Sequence, residues 1–205
     1  MGTPSARRPG RPRDARADRA IIEAAAAVLA ELGPAGFTVD AVAARAGCGK
    51  ATIYRRWPSR AHLMLETTQQ AGVDLTDPDT GSVRDDLVAL LTKLAEKMAD
   101  SPVGKLMAAT IAEAAVNPET REVYAEFLAE RRRLPCSIVT RGIVRGELRP
   151  DIDADLVIDL VSGPVFLRAF MTRGPLDETV VRRIVDTVLD GAGTPAEKLS
   201  GTPGG

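Results

Sequence analysis

Residues 38–60 read TVDAVAARAGCGKATIYRRWPSR, and the fold is decided there. Thr38 is placed to cap a helix, with Asp40 in its first turn, where the backbone dipole favours negative charge. That helix closes near Ala46-Gly47. A second begins at about Lys50 and runs to Trp57, where Pro58 halts it. Two short helices joined by a tight glycine-containing turn make a helix-turn-helix, whose helices cross steeply while almost touching. Ala43 and Ala46 give the first helix a low profile, and Gly47 can take the positive φ that the reversal demands. Ile53 and Trp57, four apart, set the inward side of the second helix. The opposite arc holds Ala51, Thr52, Tyr54 and Arg55, with Lys50 near its edge. Such a face suits duplex DNA, which needs donors for phosphates and base edges and slim residues for close approach.

Working outward, a helix is expected from about Asp18 to Leu32, with Ile21, Ala24, Val28 and Leu32 on one face and Gly33-Pro34 as its stop. Ser59 caps a fourth helix that fades at Gly72. The stretch DLTDPDTG at 74–81 is acidic, turn-forming and aperiodic, and reads as a domain junction. Beyond it Ser82 opens a helix whose stripe is Leu87, Leu90, Leu91, Leu94 and Met98. Further helices are expected at about 102–115, 118–145, 154–172 and 177–190, with Pro135 kinking or dividing the second of these four. No alternating β-branched and aromatic runs compete, so the class is all-α. The chain divides into a basic arm at 1–17, a helix-turn-helix domain at 18–66, a linking segment at 67–81, a helical effector-binding and dimerisation domain at 82–191, and a flexible tail at 192–205.

Composition narrows the chemistry. The chain has 205 residues, 44% apolar and 27% charged, a globular balance long enough for its own core. Cys48 and Cys136 lie far apart, which points to a reducing, cytoplasmic compartment rather than a disulfide framework. A single histidine, His62, leaves too little for a catalytic dyad or a zinc site. The net charge of −1 hides an asymmetry: residues 1–66 carry eleven Lys or Arg against six acids, while the rest carries 16 against 22. A polyanion is therefore drawn to one end only.

Competing motifs are weak. Gly47-Cys48-Gly49-Lys50-Ala51-Thr52 glances at a phosphate-binding loop, but Ala44 and Ala51 stand where Gly and Ser or Thr are required, and no strand precedes it. Arg131-Arg132-Arg133 reads as a solvated face, and Asp151, Asp153, Asp155 and Asp159 as the acidic opening of a helix rather than paired catalytic carboxylates. Leu156 to Met171, the most apolar late stretch, is too short to span a bilayer and carries Asp159 and Arg168. Neither enzyme, cofactor, metal nor membrane is expected.

Over about 16–66 the chain resembles the tetracycline-repressor (TetR) family of bacterial transcriptional regulators. The resemblance rests on Phe37-Thr38-Val39-Asp40, on Ala43-Ala44-Arg45-Ala46-Gly47 and on the run from Lys50 to Arg60. It implies a DNA operator as partner, with Thr38, Tyr54 and Arg60 on phosphates, Lys50, Ala51, Thr52 and Arg55 facing bases, and Arg45 among the DNA-binding residues. It also implies that the arm Arg7-Arg8-Pro9-Gly10-Arg11-Pro12-Arg13 wraps DNA, through the minor groove. Gly49 departs from the family pattern, which often has Ser or Thr there, so the helix cap is weaker and its hydroxyl contact absent.

The last two helices carry wide apolar surfaces, including Val161, Val165 and Phe170 on one and Val181, Ile184 and Val188 on the other. Either these form a two-fold homodimer contact, as the resemblance implies, or both helices are internal. Met98, Met107, Phe127 and Phe166 either line an apolar pocket for a small-molecule effector or fill plain core. The expected function is a repressor released from DNA by such a ligand; the alternative is a C-terminal domain that recruits a protein.

Overall fold

The computed structural model describes residues 15–72, 76–99 and 101–191; the tail expected at 192–205 lies outside the described residues, as does the basic arm expected at 1–17 except for residues 15–17, which open the first helix. Every regular element among them is helical.

Helix α1 (Ala15–Gly36) is broken at Gly33, where φ of 66° and ψ of −174° leave the helical region, and a last turn resumes through Pro34. The expected stop is thus in place, with one extra turn behind it. Thr38 caps α2 (Val39–Ala46) by accepting from the Ala41 N–H at 3.1 Å. Gly47 ends it at φ 64°, and Cys48 N–H returns to Ala43 O at 3.1 Å. Helix α3 (Lys50–Tyr54) starts at Gly49 without a side-chain cap. It is shorter than its sequence suggests: Arg56 and Trp57 both donate backbone N–H groups to Ile53 O, which tightens the chain into a turn before Pro58. Ser59 caps α4 (Arg60–Ala71) through the His62 N–H. Ile21, Val28, Phe37, Val42, Ile53, Trp57, Leu63 and Met64 close one core over these four helices, and Leu106 enters it from the C-terminal half.

Five more helices follow: α5 (Val83–Met98), α6 (Pro102–Val116), α7 (Pro118–Val144), α8 (Ala154–Phe166) and α9 (Glu178–Asp190), capped in turn by Ser82, Ser101, Asn117, Asp153 and Asp177. Two expectations are corrected. Pro135 does not divide α7, which runs continuously through it while packing on α4, α5, α6 and α8; tertiary contact on several sides offsets the missing backbone bond. The helix expected at 154–172 is α-helical only to Phe166 and then widens into a π-helical segment, Leu167–Thr172, a few residues after Pro164 removes a backbone donor.

The junction is pinned rather than loose where it is described. Arg141 on α7 binds Asp77 through both terminal nitrogens at 2.6 and 2.7 Å and lies 3.5 Å from the buried Asp86, whose other oxygen accepts from Thr80 N–H and Oγ1–H at 2.7 Å. At the next residue, Gly142 lets α7 approach α5 closely: a Cβ there would lie 2.8 Å from Val83 Cβ. Gly142→Ala is therefore expected to destabilise the fold by about 1–3 kcal/mol through overpacking, read as a lower urea midpoint with an unchanged slope.

Candidate nucleic-acid interface and effector cavity

Helix α3 is held from one side and displayed on the other. Ile53 and Trp57 are buried in the N-terminal core, whereas Lys50, Ala51, Tyr54 and Arg55 are exposed and Thr52 half-buried. Tyr54 is 49% accessible, a large exposed aromatic on a short helix. The α2 start lies beside this face, since Lys50 Nζ sits 2.8 Å from Asp40 Oδ1. That carboxylate raises the Lys50 pKa, so the ammonium stays charged, and both partners are solvent-accessible and exchangeable. Thr38 is exposed as well; its Oγ1 accepts the capping bond and retains a proton to donate.

Arginines that look alike in sequence separate in space. Arg55 is exposed, with no ion pair among the described residues. Arg56 turns inward, paired with Asp18 on α1 and donating to Thr52 O at 3.1 Å. Arg45, expected against DNA, holds Glu31 bidentately at 2.5 and 2.7 Å, an exposed pair in which the guanidinium lowers the carboxyl's pKa.

Arg60 requires a correction. Its Nε donates to Phe37 O at 2.6 Å, one terminal nitrogen to Pro34 O at 2.5 Å, and the other to Glu113 Oε1 of α6 at 2.5 Å. The guanidinium also covers the Phe37 ring, 5.9 Å from its centroid. A fork of fixed donors is thus committed to carbonyls left open after the α1 break and to a carboxylate of the C-terminal half, not turned toward solvent. Nothing local in the sequence announces Glu113, 53 residues away.

A cavity of about 360 Å³ lies among the C-terminal helices and the end of α4, where Thr68, Gln69 and Gly72 join its wall. Met98, Met107, Phe127 and Phe166 all line it, so the four residues singled out for a pocket are brought together. Leu87, Leu90, Leu91, Leu94 and Ile111 complete an apolar wall, and Tyr124, missed in the sequence, adds a hydroxyl. A second, larger hollow of about 550 Å³ lies between the helix-turn-helix and α7, walled by Arg55, His62, Glu66, Gln70, Glu126 and Glu130, and is polar where the first is greasy.

The expected dimer residues divide. Val161, Val165 and Val181 are buried in the protomer's own core with Leu87, Ile138 and Val139, so they are corrected to internal packing. Phe170, Ile184 and Val188 are half-buried. The accessible stripe lies one residue round the helix: Leu156, Leu160, Leu167 and Met171, the last 77% exposed, with Pro164 between them.

Residues 21–67 match the family described as bacterial regulatory proteins, tetR family, and residues 77–188 the family described as tetracyclin repressor-like, C-terminal domain. The chain belongs to the TetR family. It is 35% identical to an uncharacterized HTH-type transcriptional regulator, YdeS of Bacillus subtilis, over 89% of this chain and 92% of that one. It is 32% identical to the DNA-binding transcriptional repressor TetR of Mycobacteroides abscessus, over 83% and 90%. The crystal structure of the TetR family transcription regulator SCO0332 superposes with a TM-score of 0.68 at 28% identity, covering 87% of this chain and all of that one. The protein is accordingly a TetR family transcriptional regulator with a DNA-binding helix-turn-helix, and not an enzyme. None of the described helices is long and apolar enough to cross a membrane.

In this TetR family chain the Arg60–Glu113 bond joins the two halves, and Arg60 holds the Glu113 pKa below the usual range, with Asn117 Nδ2 donating to the same oxygen. A depressed carboxylate contributes stability above its unfolded pKa and loses it as pH falls through the folded value. Glu113→Gln is expected to cost about 1–3 kcal/mol at neutral pH, and the gap to wild type should close below about pH 4. Denaturant titrations of both proteins across that range check it; a gap independent of pH would contradict the assignment.

Proposed function

We propose that the chain is a homodimeric repressor, acting in the bacterial cytoplasm, that leaves its operator when a small apolar molecule fills the C-terminal cavity. The observation that carries the reading is the two-sidedness of α3: one side is anchored by Ile53 and Trp57, while Lys50, Ala51, Thr52, Tyr54 and Arg55 form a polar, basic surface with no packing duty. Arg55, Lys50, Thr52 and Ala51 face base edges, and Thr38 and Tyr54 bind flanking phosphates. Arg45 joins them only where Glu31 releases it, and Arg60 acts between domains instead.

The route from ligand to DNA runs through α6. Met107 and Ile111 of α6 line the cavity, and Glu113 on the same helix grips Arg60 at the start of α4, directly after the recognition helix. A ligand that favours a displaced α6 moves this grip, and the shift is limited to the ligand's differential affinity for the two states. The stripe Leu156, Leu160, Leu167 and Met171, bordered by Ile184 and Val188, supplies the two-fold contact. Two subunits joined there present recognition helices to successive major grooves, about 34–36 Å apart. That the M. abscessus relative is a DNA-binding transcriptional repressor supports repression as the sign of control.

Two measurements test the reading. After operator selection from a random duplex pool, Arg55→Ala should lose about 1–3 kcal/mol of discrimination at one base-pair position per half-site; an unchanged binding profile would remove Arg55 from base readout. Leu160→Glu should turn a sedimenting dimer into a folded monomer with weakened operator binding, and a persisting dimer would place the interface elsewhere.

A further inference from the structure

The chemistry of the cavity wall restricts what it holds. Its charged members are Arg131, Arg132 and Asp159. Arg132 is engaged by Asp159 at 2.5 Å and by Asp155 at 2.9 Å, and these carboxylates raise its pKa further, so it remains a cation with its anions in place. Arg131 lies over the Phe127 ring, 5.8 Å from the centroid. The Arg132 pairs are largely solvent-exposed, at the rim; a charged group seated deeper, among the leucines and methionines, would be desolvated with no partner, which is costly.

Of the wall's neutral polar side chains, Gln69 is exposed at the rim and the others are mostly committed. Thr68 Oγ1 shares its bonding with Met64 O and Thr110 Oγ1, and Ser162 Oγ donates to Ile158 O at 2.5 Å. Tyr124 is different. Its hydroxyl donates to Met107 Sδ at 3.8 Å, and a thioether is a weak acceptor. Burial pushes the phenol pKa up, so at neutral pH the oxygen keeps its proton. A half-buried O–H that meets only sulfur among the described residues, beside leucines and methionines, is a donor that a ligand oxygen would engage more strongly than the thioether does.

Resting on the effector reading above, we infer that the ligand is an uncharged, predominantly apolar molecule bearing one hydrogen-bond acceptor, a carbonyl or ether oxygen, and that Tyr124 is the residue that recognises it by donating its O–H to that oxygen. A volume of about 360 Å³ lies at the small end of ordinary ligand sites, about 300–1,000 Å³, so the molecule is compact. Met107 then moves from bonding partner to flexible wall, a role that suits its unbranched chain. Because Met107 stands on α6, exchange of the sulfur for a ligand oxygen occurs on the helix that carries Glu113.

The test uses the full-length protein and four probes of matched shape: valerophenone, a neutral ketone; pentylbenzene; 5-phenylpentanoate; and 5-phenylpentylammonium. Dissociation constants are measured by calorimetry for wild type and Tyr124→Phe, with thermal unfolding and circular dichroism to establish that the variant is folded. The ketone should bind wild type at least tenfold more tightly than either ion, and Tyr124→Phe should weaken the ketone about fivefold while leaving pentylbenzene unchanged, the loss expected for one hydrogen bond. If the ketone and the hydrocarbon respond alike to Tyr124→Phe, or if either ion binds best, the ligand class is overturned while the cavity stands as a binding site. If none of the four binds wild type, the effector cavity itself is overturned and the inference falls with it.

Discussion

A five-residue helix cannot hold itself together in water, so α3 exists because Ile53 and Trp57 are clamped in the core of its neighbours. Everything outward depends on that anchorage. Gly47 at positive φ permits the abrupt reversal from α2, and Arg56, tied to Asp18 and to Thr52 O, stops the short helix from rotating. Lys50, Ala51, Thr52, Tyr54 and Arg55 are then free to face outward from an anchored helix, as the proposed base-reading surface requires. The absent cap at Gly49 is tolerated for the same reason: tertiary packing, not local propensity, fixes the helix.

A second dependency runs between the halves. Arg60 gathers the end of α1, the Phe37 ring and Glu113 of α6 at one point, and Leu106 of α6 enters the N-terminal core beside it. Helix α6 therefore has one side in the DNA-binding half and another on the cavity. No long chain of intermediates is needed to connect them, because a single rigid helix touches both. The Arg141 cluster plays a complementary part, fixing residues 77–80 to α5 and α7.

Helix α8 illustrates how one apolar segment serves two purposes. Val157, Ile158, Val161 and Val165 fill the interior, while Leu156, Leu160 and Leu167 stand outside. A helix that is greasy all round needs cover all round, and in the proposed homodimer the second subunit supplies it on the outer side. The π-helical widening after Phe166 falls where the two faces would otherwise continue, and it carries Met171 outward and Ala169 inward.

What the sequence by itself determined was local. The caps at Thr38, Ser59 and Ser82, the stop at Gly33 and the reversal at Gly47 all rest on bonds or dihedrals spanning a few residues, so a short window of sequence contains both partners. The two-sidedness of α3 was legible for the same reason, since helical periodicity alone separates Ile53 and Trp57 from Tyr54 and Arg55. The gathering of Met98, Met107, Phe127 and Phe166 about one cavity, the inward turn of Val161, Val165 and Val181 against the exposure of Leu160, and the passage of α7 through Pro135 were decided by tertiary structure. So was the fate of each arginine: Arg55 reaches solvent, Arg45 meets Glu31, and Arg60 meets Glu113. A guanidinium goes to whichever acceptors the fold brings within about 3 Å, and here those come from 14 and 53 residues away.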